Sequence, residues 1–166
     1  IIILCLFFLE GNPIFYTQIR TGLNTRCIKI IKFRTMVVNA EINGPQWSGK
    51  DDKRVTFIGK LLRRFRLDEL PQLINVIKGD MSLIGPRPER PEFDKELKKK
   101  ISNYSFRYAV KPGLSGWAQV NYHYSSNFKD ALNKLNYDIY YIKHQSIFLD
   151  LIILFKTIKI IFFARG

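Results

Sequence analysis

The two ends of the chain constrain its fold more than any other feature. Residues 1–9 (IIILCLFFL) are apolar without a break, and Glu10-Gly11-Asn12-Pro13 stops the run. Nine residues make about 14 Å of helix, and a spanning helix needs about 20 residues, so this run cannot cross a bilayer by itself. It reads as the last turns of a truncated, membrane-embedded helix over residues 1–10. A buried strand or helix of a soluble core is the competing reading. Residues 146–166 (SIFLDLIILFKTIKIIFFARG) are also mostly apolar but carry Asp150, Lys156, Thr157 and Lys159. Asp150 and Thr157 share a helical face and the lysines lie close to it. Three charges are rare in a spanning helix. Residues 146–163 therefore read as an amphipathic helix in the membrane interface, its lysines toward anionic headgroups. A core helix of a soluble domain explains that segment equally well.

Composition narrows the partners. The 166 residues suit one domain, 1–166, and carry a net charge of +13 with 14% aromatic residues. Such aromatic content excludes an ordinary disordered tail. Cys5 and Cys27 are the only cysteines, which excludes a disulfide scaffold. With His123 and His144 they leave almost nothing for a zinc site. The positive balance calls for an anionic partner: nucleic acid, an acidic membrane surface or a phosphorylated substrate. Basic residues are spread along the chain, whereas nine of the fourteen acids fall within residues 51–100. A segment holding most acids and most arginines looks more like a site than like a solvated face.

Between the ends, residues 15–20 and 27–33 are β-favouring runs around Thr21-Gly22-Leu23-Asn24, which predicts a hairpin. Residues 39–53 are polar and hold two Gly and one Pro, a loop. Residues 57–67 form a helix with Ile58, Leu61, Leu62 and Phe65 as its stripe, and Lys60, Arg63 and Arg66 away from it. Pro71 suits the first turn of a short helix through about Ile77, stopped by Gly79. A further helix starts at Pro91, with Phe93, Leu97 and Ile101 as its seam, acids early and lysines late. Residues 128–145 are the longest clear helix. The whole reads as helix-rich α+β with a small hairpin.

The chemistry starts from absences. There is no phosphate-binding G-x-x-x-x-G-K-[ST] or G-x-G-x-x-G motif, and the histidines lack an evident Ser or Cys partner. What stands out is a carboxylate pair in a basic setting, LRRFRLDELPQ (62–72). Adjacent carboxylates diverge on a helix, so Asp68 and Glu69 suit two tasks better than one shared proton. One could be a nucleophile and the other a magnesium ligand, since magnesium takes carboxylate oxygens together with substrate phosphates. Arginines could neutralise phosphate charge. An ion-paired helix end is the bland reading of such a pair. Three further stretches bear on it. KFRTM (32–36) puts Lys32 and Arg34 on one strand face. GPRPE (85–89) holds Arg87 between prolines that fix the backbone on both sides. KPGLSGW (111–117) is a turn-rich loop with Lys111 and Trp117.

Together and in this order these stretches closely resemble the bacterial sugar transferase family, the monotopic phosphoglycosyl transferases. The resemblance rests on PIFYTQIRTG (13–22), IKFRTM (31–36), residues 52–89, YAVKPGLSGWAQVN (108–121) and residues 134–157. The last stretch is similar to the C-terminal catalytic domain of the larger members used in capsule and exopolysaccharide assembly. The resemblance implies a helix-rich monotopic membrane domain, with the remnant of a re-entrant helix at its N terminus, on the cytoplasmic face of the bacterial inner membrane. It implies transfer of a sugar 1-phosphate from a UDP-sugar to polyprenyl (undecaprenyl) phosphate, releasing UMP and initiating exopolysaccharide, capsule or O-antigen assembly. Asp68 would be the nucleophile that carries a covalent phosphosugar, and Glu69 would hold Mg2+ or Mn2+. Lys32, Arg63 and Arg87 match family positions near the phosphates. Arg34, Arg54, Gln72, Lys111 and His123 are further substrate-contact candidates. A homodimer is a fair expectation from the larger members, and nucleic acid is not an expected partner.

Two departures accompany the resemblance. The basic start and Ser-Pro kink of the family's re-entrant helix are absent from these residues. The arginine that small members often carry two residues after AQVN is here His123. The readings from other classes are a non-catalytic basic module at a membrane surface and a nucleic-acid-binding module, the latter suited by charge and aromatic content.

Overall fold

The computed structural model describes residues 2–42, 44–46, 49, 52–122 and 128–163. A two-stranded antiparallel hairpin, β1 (Phe15–Thr21) and β2 (Cys27–Phe33), stands where the alternating runs predict it, with Phe15 opposite Phe33 and Thr21 opposite Cys27. Before it comes the helix α1 (Ile2–Glu10). After it, a loop leads to α2 (Phe57–Arg64), whose N-terminus is capped by the Thr56 hydroxyl accepting from the Gly59 amide.

The helix expected over 57–67 stops early. Arg66 takes a left-handed backbone conformation, φ 54°, and a 3-10 turn over Leu67–Gln72 follows before the short α3 (Leu73–Ile77). The break turns the carboxylate pair off the α2 axis and into the protein. The register of β2 against this turn is set by Asn75. Its amide donates to the Lys29 carbonyl at 2.8 Å, and its side-chain oxygen accepts from the Ile31 amide at 3.3 Å.

Six more strands and α-helices belong to the framework among the described residues. The strands β3 (Ser82–Ile84) and β4 (Gly113–Ser115) pair in parallel, which the sequence pattern did not foretell. Their glycines are there because backbone meets backbone: a Cβ on Gly113 would stand 2.1 Å from the Gly85 nitrogen. The helix α4 (Pro91–Lys100) begins at Pro91 as expected, with Leu97 buried and Ile101 buried just past its end. Then come α5 (Trp117–Asn121), α6 (Phe128–Lys143) and α7 (Ile147–Phe162).

Among the described residues most buried apolar side chains fall into three small clusters. Leu97, Ile101, Tyr104, Tyr108 and Leu135 hold α4 to α6; Leu6, Phe33 and Leu62 join α1, β2 and α2; Ile84, Tyr141 and Ile153 join β3, α6 and α7. Arg107 and Asp138 form a buried ion pair at 2.8 Å.

The helices α1 and α7 wear their apolar side chains outward. Phe8 is 76% exposed on α1, and Phe148 and Phe162 are 76% and 80% exposed on α7. Three polar residues of α7 turn inward instead. Asp150 accepts from the Tyr141 hydroxyl at 2.9 Å, Thr157 meets Ser115 at 2.6 Å, and Lys156 donates to Asn121 at 2.5 Å beneath the Trp117 ring. The expectation that these lysines face headgroups therefore fails for Lys156, because α5 offers it an oxygen and an aromatic face. Lys159 is exposed. Among the described residues no helix is long and apolar enough to cross a membrane.

Gly59 tests the packing of α2. A Cβ there would stand 2.1 Å from the Thr35 carbonyl oxygen. Alanine is the better helix former by about 1 kcal/mol, so propensity predicts that Gly59→Ala stabilises. Overpacking against backbone costs about 1–3 kcal/mol and more where nothing can yield. We expect Gly59→Ala to lower stability by about 2 kcal/mol net of propensity, read by urea or thermal melting. A neutral or stabilised variant would show that α2 and the 34–36 segment are not packed this closely.

Candidate active site

Each residue of the candidate site is set in place by a different local cause. Lys32 lies near the end of β2, opposite Tyr16, and its ammonium donates to Glu69 Oε1 at 2.7 Å. Arg87 comes from the proline-flanked segment after β3. Its Nη2 donates to Glu69 Oε1 at 2.6 Å and its Nη1 to Oε2 at 3.2 Å, a fork on a single carboxylate. The segment is held from behind by Arg107, whose Nη2 donates to the Arg87 carbonyl at 2.8 Å. Arg63, on the last turn of α2, donates through Nε to the Thr35 hydroxyl at 2.9 Å.

The two adjacent carboxylates have different environments. Glu69 is buried, and burial alone would raise its pKa. The charges of Arg87 and Lys32, and their hydrogen bonds, outweigh this and hold Glu69 well below the usual carboxylate range. Asp68 is 9% exposed, and no hydrogen bond to it occurs among the described residues. Burial and the neighbouring Glu69 charge push its pKa up, while Lys32, Arg63 and Arg87 pull it back. Burial lowers the pKa of Lys32, and Glu69 opposes that. The result is one carboxylate bound up by cations and one whose oxygens are free, in the same cationic field. Two titratable groups driven apart by their surroundings are the mark of divided roles.

The fit of a divalent ion follows from the same geometry. A carboxylate offers about four lone-pair directions. Three on Glu69 are taken by the Lys32 and Arg87 contacts, which leaves one on Oε2. Among the described residues no group of three or more His, Cys, Asp or Glu could hold a metal. Magnesium needs no such group, because it keeps several waters and is held by one or two carboxylates plus substrate phosphates. Glu69, with Asp68 beside it, fits that mode and would bind the ion only together with a phosphorylated substrate.

The structure brings Lys32, Arg63, Arg87, Asp68 and Glu69 together. Arg34 goes elsewhere: β2 ends at Phe33, and the Arg34 side chain reaches the C-terminus of α1, where Nη2 donates to the Glu10 and Gly11 carbonyls at 2.6 and 2.8 Å. Arg54 pairs with Asp52 at 2.6 Å and donates to the Ala40 carbonyl. Gln72 is 2% exposed, inside the turn that carries the dyad. Lys111 is exposed with its ammonium beside Gly79. His123 lies outside the described residues.

Sequence reasoning missed several supports of the site. Asn75, Arg107 and Asp138 act across long separations that no periodicity reveals. Arg20 was also missed. It shares the hairpin face of Lys32 and donates to the Gln18 side chain at 2.6 Å and the Pro88 carbonyl at 3.1 Å, which ties β1 to the Arg87 segment. The alternation of Tyr16, Gln18 and Arg20 along β1 was the available signal.

With the geometry in hand, comparison with known proteins is specific. The sequence profile described as bacterial sugar transferase matches residues 1–164. A UDP-N-acetylgalactosamine-undecaprenyl-phosphate N-acetylgalactosaminephosphotransferase of Aeromonas hydrophila is 47% identical over 93% of this chain and 37% of its own length. A UDP-glucose:undecaprenyl-phosphate glucose-1-phosphate transferase of Escherichia coli (strain K12) is 38% identical over 89% of this chain and 32% of its own. The exopolysaccharide production protein ExoY of Sinorhizobium fredii is 36% identical over 96% of this chain and 74% of its own. The chain thus spans about a third of the first two relatives and most of the third.

Proposed function

The chain belongs to the bacterial sugar transferase family, and from that premise we propose that it transfers a sugar 1-phosphate from a UDP-sugar to polyprenyl phosphate and releases UMP. The observation that carries the mechanism is the divided dyad: Glu69 locked by Lys32 and Arg87, and Asp68 buried with its oxygens free. In the first step an Asp68 carboxylate oxygen attacks the sugar-proximal phosphorus. The bond from that phosphorus to the bridging oxygen breaks, and UMP leaves with the electron pair. In the second step a phosphate oxygen of the polyprenyl phosphate attacks the same phosphorus, the bond to Asp68 breaks, and the carboxylate is regenerated. A carboxylate can carry a phosphoryl group in this way.

The other residues position and neutralise. Phosphoryl transfer asks the protein mainly for alignment and charge stabilisation. Arg63, Arg87 and Lys32 supply three cations around the diphosphate, and Glu69 holds two of them by hydrogen bonds, which leaves the Asp68 oxygens unpaired among the described residues. A magnesium ion, when bound through Glu69 and substrate oxygens, would neutralise charge on the diphosphate.

The setting we propose is the cytoplasmic face of a bacterial inner membrane. The outward apolar surfaces of α1 and α7 support it, together with Phe57 and Ile77, which are 85% and 86% exposed. On this reading α7 lies along the lipid surface with Asp150, Lys156 and Thr157 spent on the protein, and the product starts assembly of a cell-surface glycan.

The test is UMP release in nanodiscs with magnesium, from a panel of UDP-sugars with and without polyprenyl phosphate. UDP-N-acetylgalactosamine and UDP-glucose head the panel, as the named substrates of the relatives above. We expect about one equivalent of UMP per enzyme without lipid, continuous turnover with it, and loss of both on chelation of the metal. UMP only when lipid is present would favour direct transfer in a ternary complex. No UMP from any sugar, from a folded membrane-bound protein, would favour a non-catalytic membrane-surface module.

A further inference from the structure

Behind Arg87 stands a buried carboxylate that the mechanism above does not use. Arg107 belongs to a 3-10 turn over Tyr104–Tyr108, which packs on α6 through Tyr104, Tyr108 and Leu135. Its Nη1 donates to the Tyr104 hydroxyl and its Nη2 to the Arg87 carbonyl. The same Nη2 lies 2.8 Å from Asp138 Oδ2 on α6. That oxygen is buried and has no aligned hydrogen bond, so the contact holds by charge. Among the described residues no other carboxylate is in ion-pair contact with Arg107.

The grip reaches the dyad through backbone. Pro86 and Pro88 leave the chain around Arg87 little freedom. A shift at the Arg87 carbonyl therefore carries to the guanidinium that forks Glu69. Asp138 is faced by Arg107 from the 3-10 turn, by Glu89 from the segment after β3 and by Lys134 from α6 itself. Beside Arg107, the Tyr108 hydroxyl donates to Asp94 of α4. Burial pushes the Asp138 carboxyl up to about 6, against the pull of Arg107. Its folded value lies above its unfolded one, so its own protonation on acidification adds stability to the fold instead of removing it. A loss of function in that range is then not unfolding caused by Asp138.

We propose that Asp138 is a positioning residue for donor binding: ionised, it holds Arg107 against the Arg87 backbone, and neutral, it releases that hold and lets Arg87 leave the place where it meets the diphosphate. Asp138 touches neither substrate nor dyad and acts through Arg107. Activity is thereby tied to the charge of a carboxylate on α6 as well as to that of Asp68. Naming the ligand a UDP-sugar rests on the transfer reading above; the coupling of Asp138 to the Arg87 segment does not.

Two measurements on the full chain in nanodiscs test it, with Asp138→Asn as the variant that keeps the volume and removes the charge. The first is amide hydrogen exchange over residues 85–91, which needs no substrate. We expect exchange there to be several-fold faster in Asp138→Asn than in the wild type at neutral pH. The wild type should reach the variant's rate on acidification through about pH 6, after correction for intrinsic exchange. Equal protection in both proteins would overturn the proposal. The second is the UMP burst from donor and magnesium without lipid, across the same pH range. The donor diphosphate stays ionised throughout and adds no limb of its own. Wild-type KM for the donor should rise on acidification by about tenfold or more, the scale on which misplacing a binding group acts. Asp138→Asn should show that raised KM already at neutral pH, with no further rise in acid and a smaller change in kcat. A wild-type KM in the variant, or a loss confined to kcat and melting temperature, would overturn it. Should Asp138→Asn fail to fold, the wild-type series decides: protection of 85–91 that does not change through about pH 6 overturns the proposal. If the wild type makes no UMP, the transfer reading fails and the exchange measurement still decides the coupling.

Discussion

Asp68→Asn is expected to abolish the UMP burst from donor alone, by about a thousandfold or more in rate, the scale on which removal of a nucleophile acts. The same variant should melt no lower than the wild type. Asp68 has no hydrogen bond to lose among the described residues, and the amide is close to isosteric. Burial and the adjacent Glu69 charge raise its pKa. A carboxylate whose folded pKa lies above its unfolded one destabilises the fold once ionised, so a neutral replacement relieves that cost at neutral pH. Loss of activity with unchanged or higher Tm is the signature of a group kept for chemistry against stability. A normal burst from Asp68→Asn would move the nucleophile to another residue. A collapsed fold would mean that the carboxylate is structural.

Arg107→Leu is expected to destabilise the fold by about 3–5 kcal/mol, because it leaves Asp138 as a buried charge without its partner. For a domain of this size that is a fall in Tm of about 10 °C or more. Arg107 is 6% exposed, and its guanidinium contacts Asp138, the Tyr104 hydroxyl and the Arg87 carbonyl at once. Replacing both charges, Arg107→Leu with Asp138→Leu, should recover a large part of the loss, since an apolar pair of similar volume is often no worse than a buried ion pair. Activity should not recover in step, because the grip on the Arg87 segment is gone in both variants. A single-variant loss below about 1 kcal/mol, the range of exposed pairs, would show that Asp138 is solvated.

These two residues illustrate what was readable from sequence. Asp68 is visible in one dimension as part of a DE pair amid arginines, which alone reads as an ion-paired helix end and gains meaning only with the KFRTM, GPRPE and KPGLSGW stretches. Arg107 and Asp138 look like ordinary charges on ordinary helical segments, and only their meeting across 31 positions makes them a buried pair. The hairpin was legible because alternation and a turn signal are local. The same holds for α4, where Pro91, early acids and late lysines all report a single helix. The end of α2 was misread because Phe65 continues its apolar stripe; what stops the helix is Arg66 in a left-handed conformation, a local cost kept where it turns the dyad off the helix axis.

The face of a residue was less reliable than its element. Lys32 and Arg34 alternate in step, yet β2 ends between them, so one reaches Glu69 and the other the carbonyls closing α1. Lys156 has the spacing of a headgroup-facing lysine and instead lies under Trp117, because α5 packs against that side of α7. The parallel pairing of β3 with β4 was invisible, since three-residue strands carry no period.

The sequence by itself determined the elements with local signals, the cluster of charged residues proposed for the chemistry, and the family to which their order points. Tertiary structure decided which carboxylate is free and which is locked, which arginine serves the dyad and which reaches the carbonyls closing α1, and which way the apolar ends face. The physical reason is that helix caps, turns and periodicity are set by neighbours within a few residues. Ionisation and side-chain direction are set by burial and by charges brought from far along the chain.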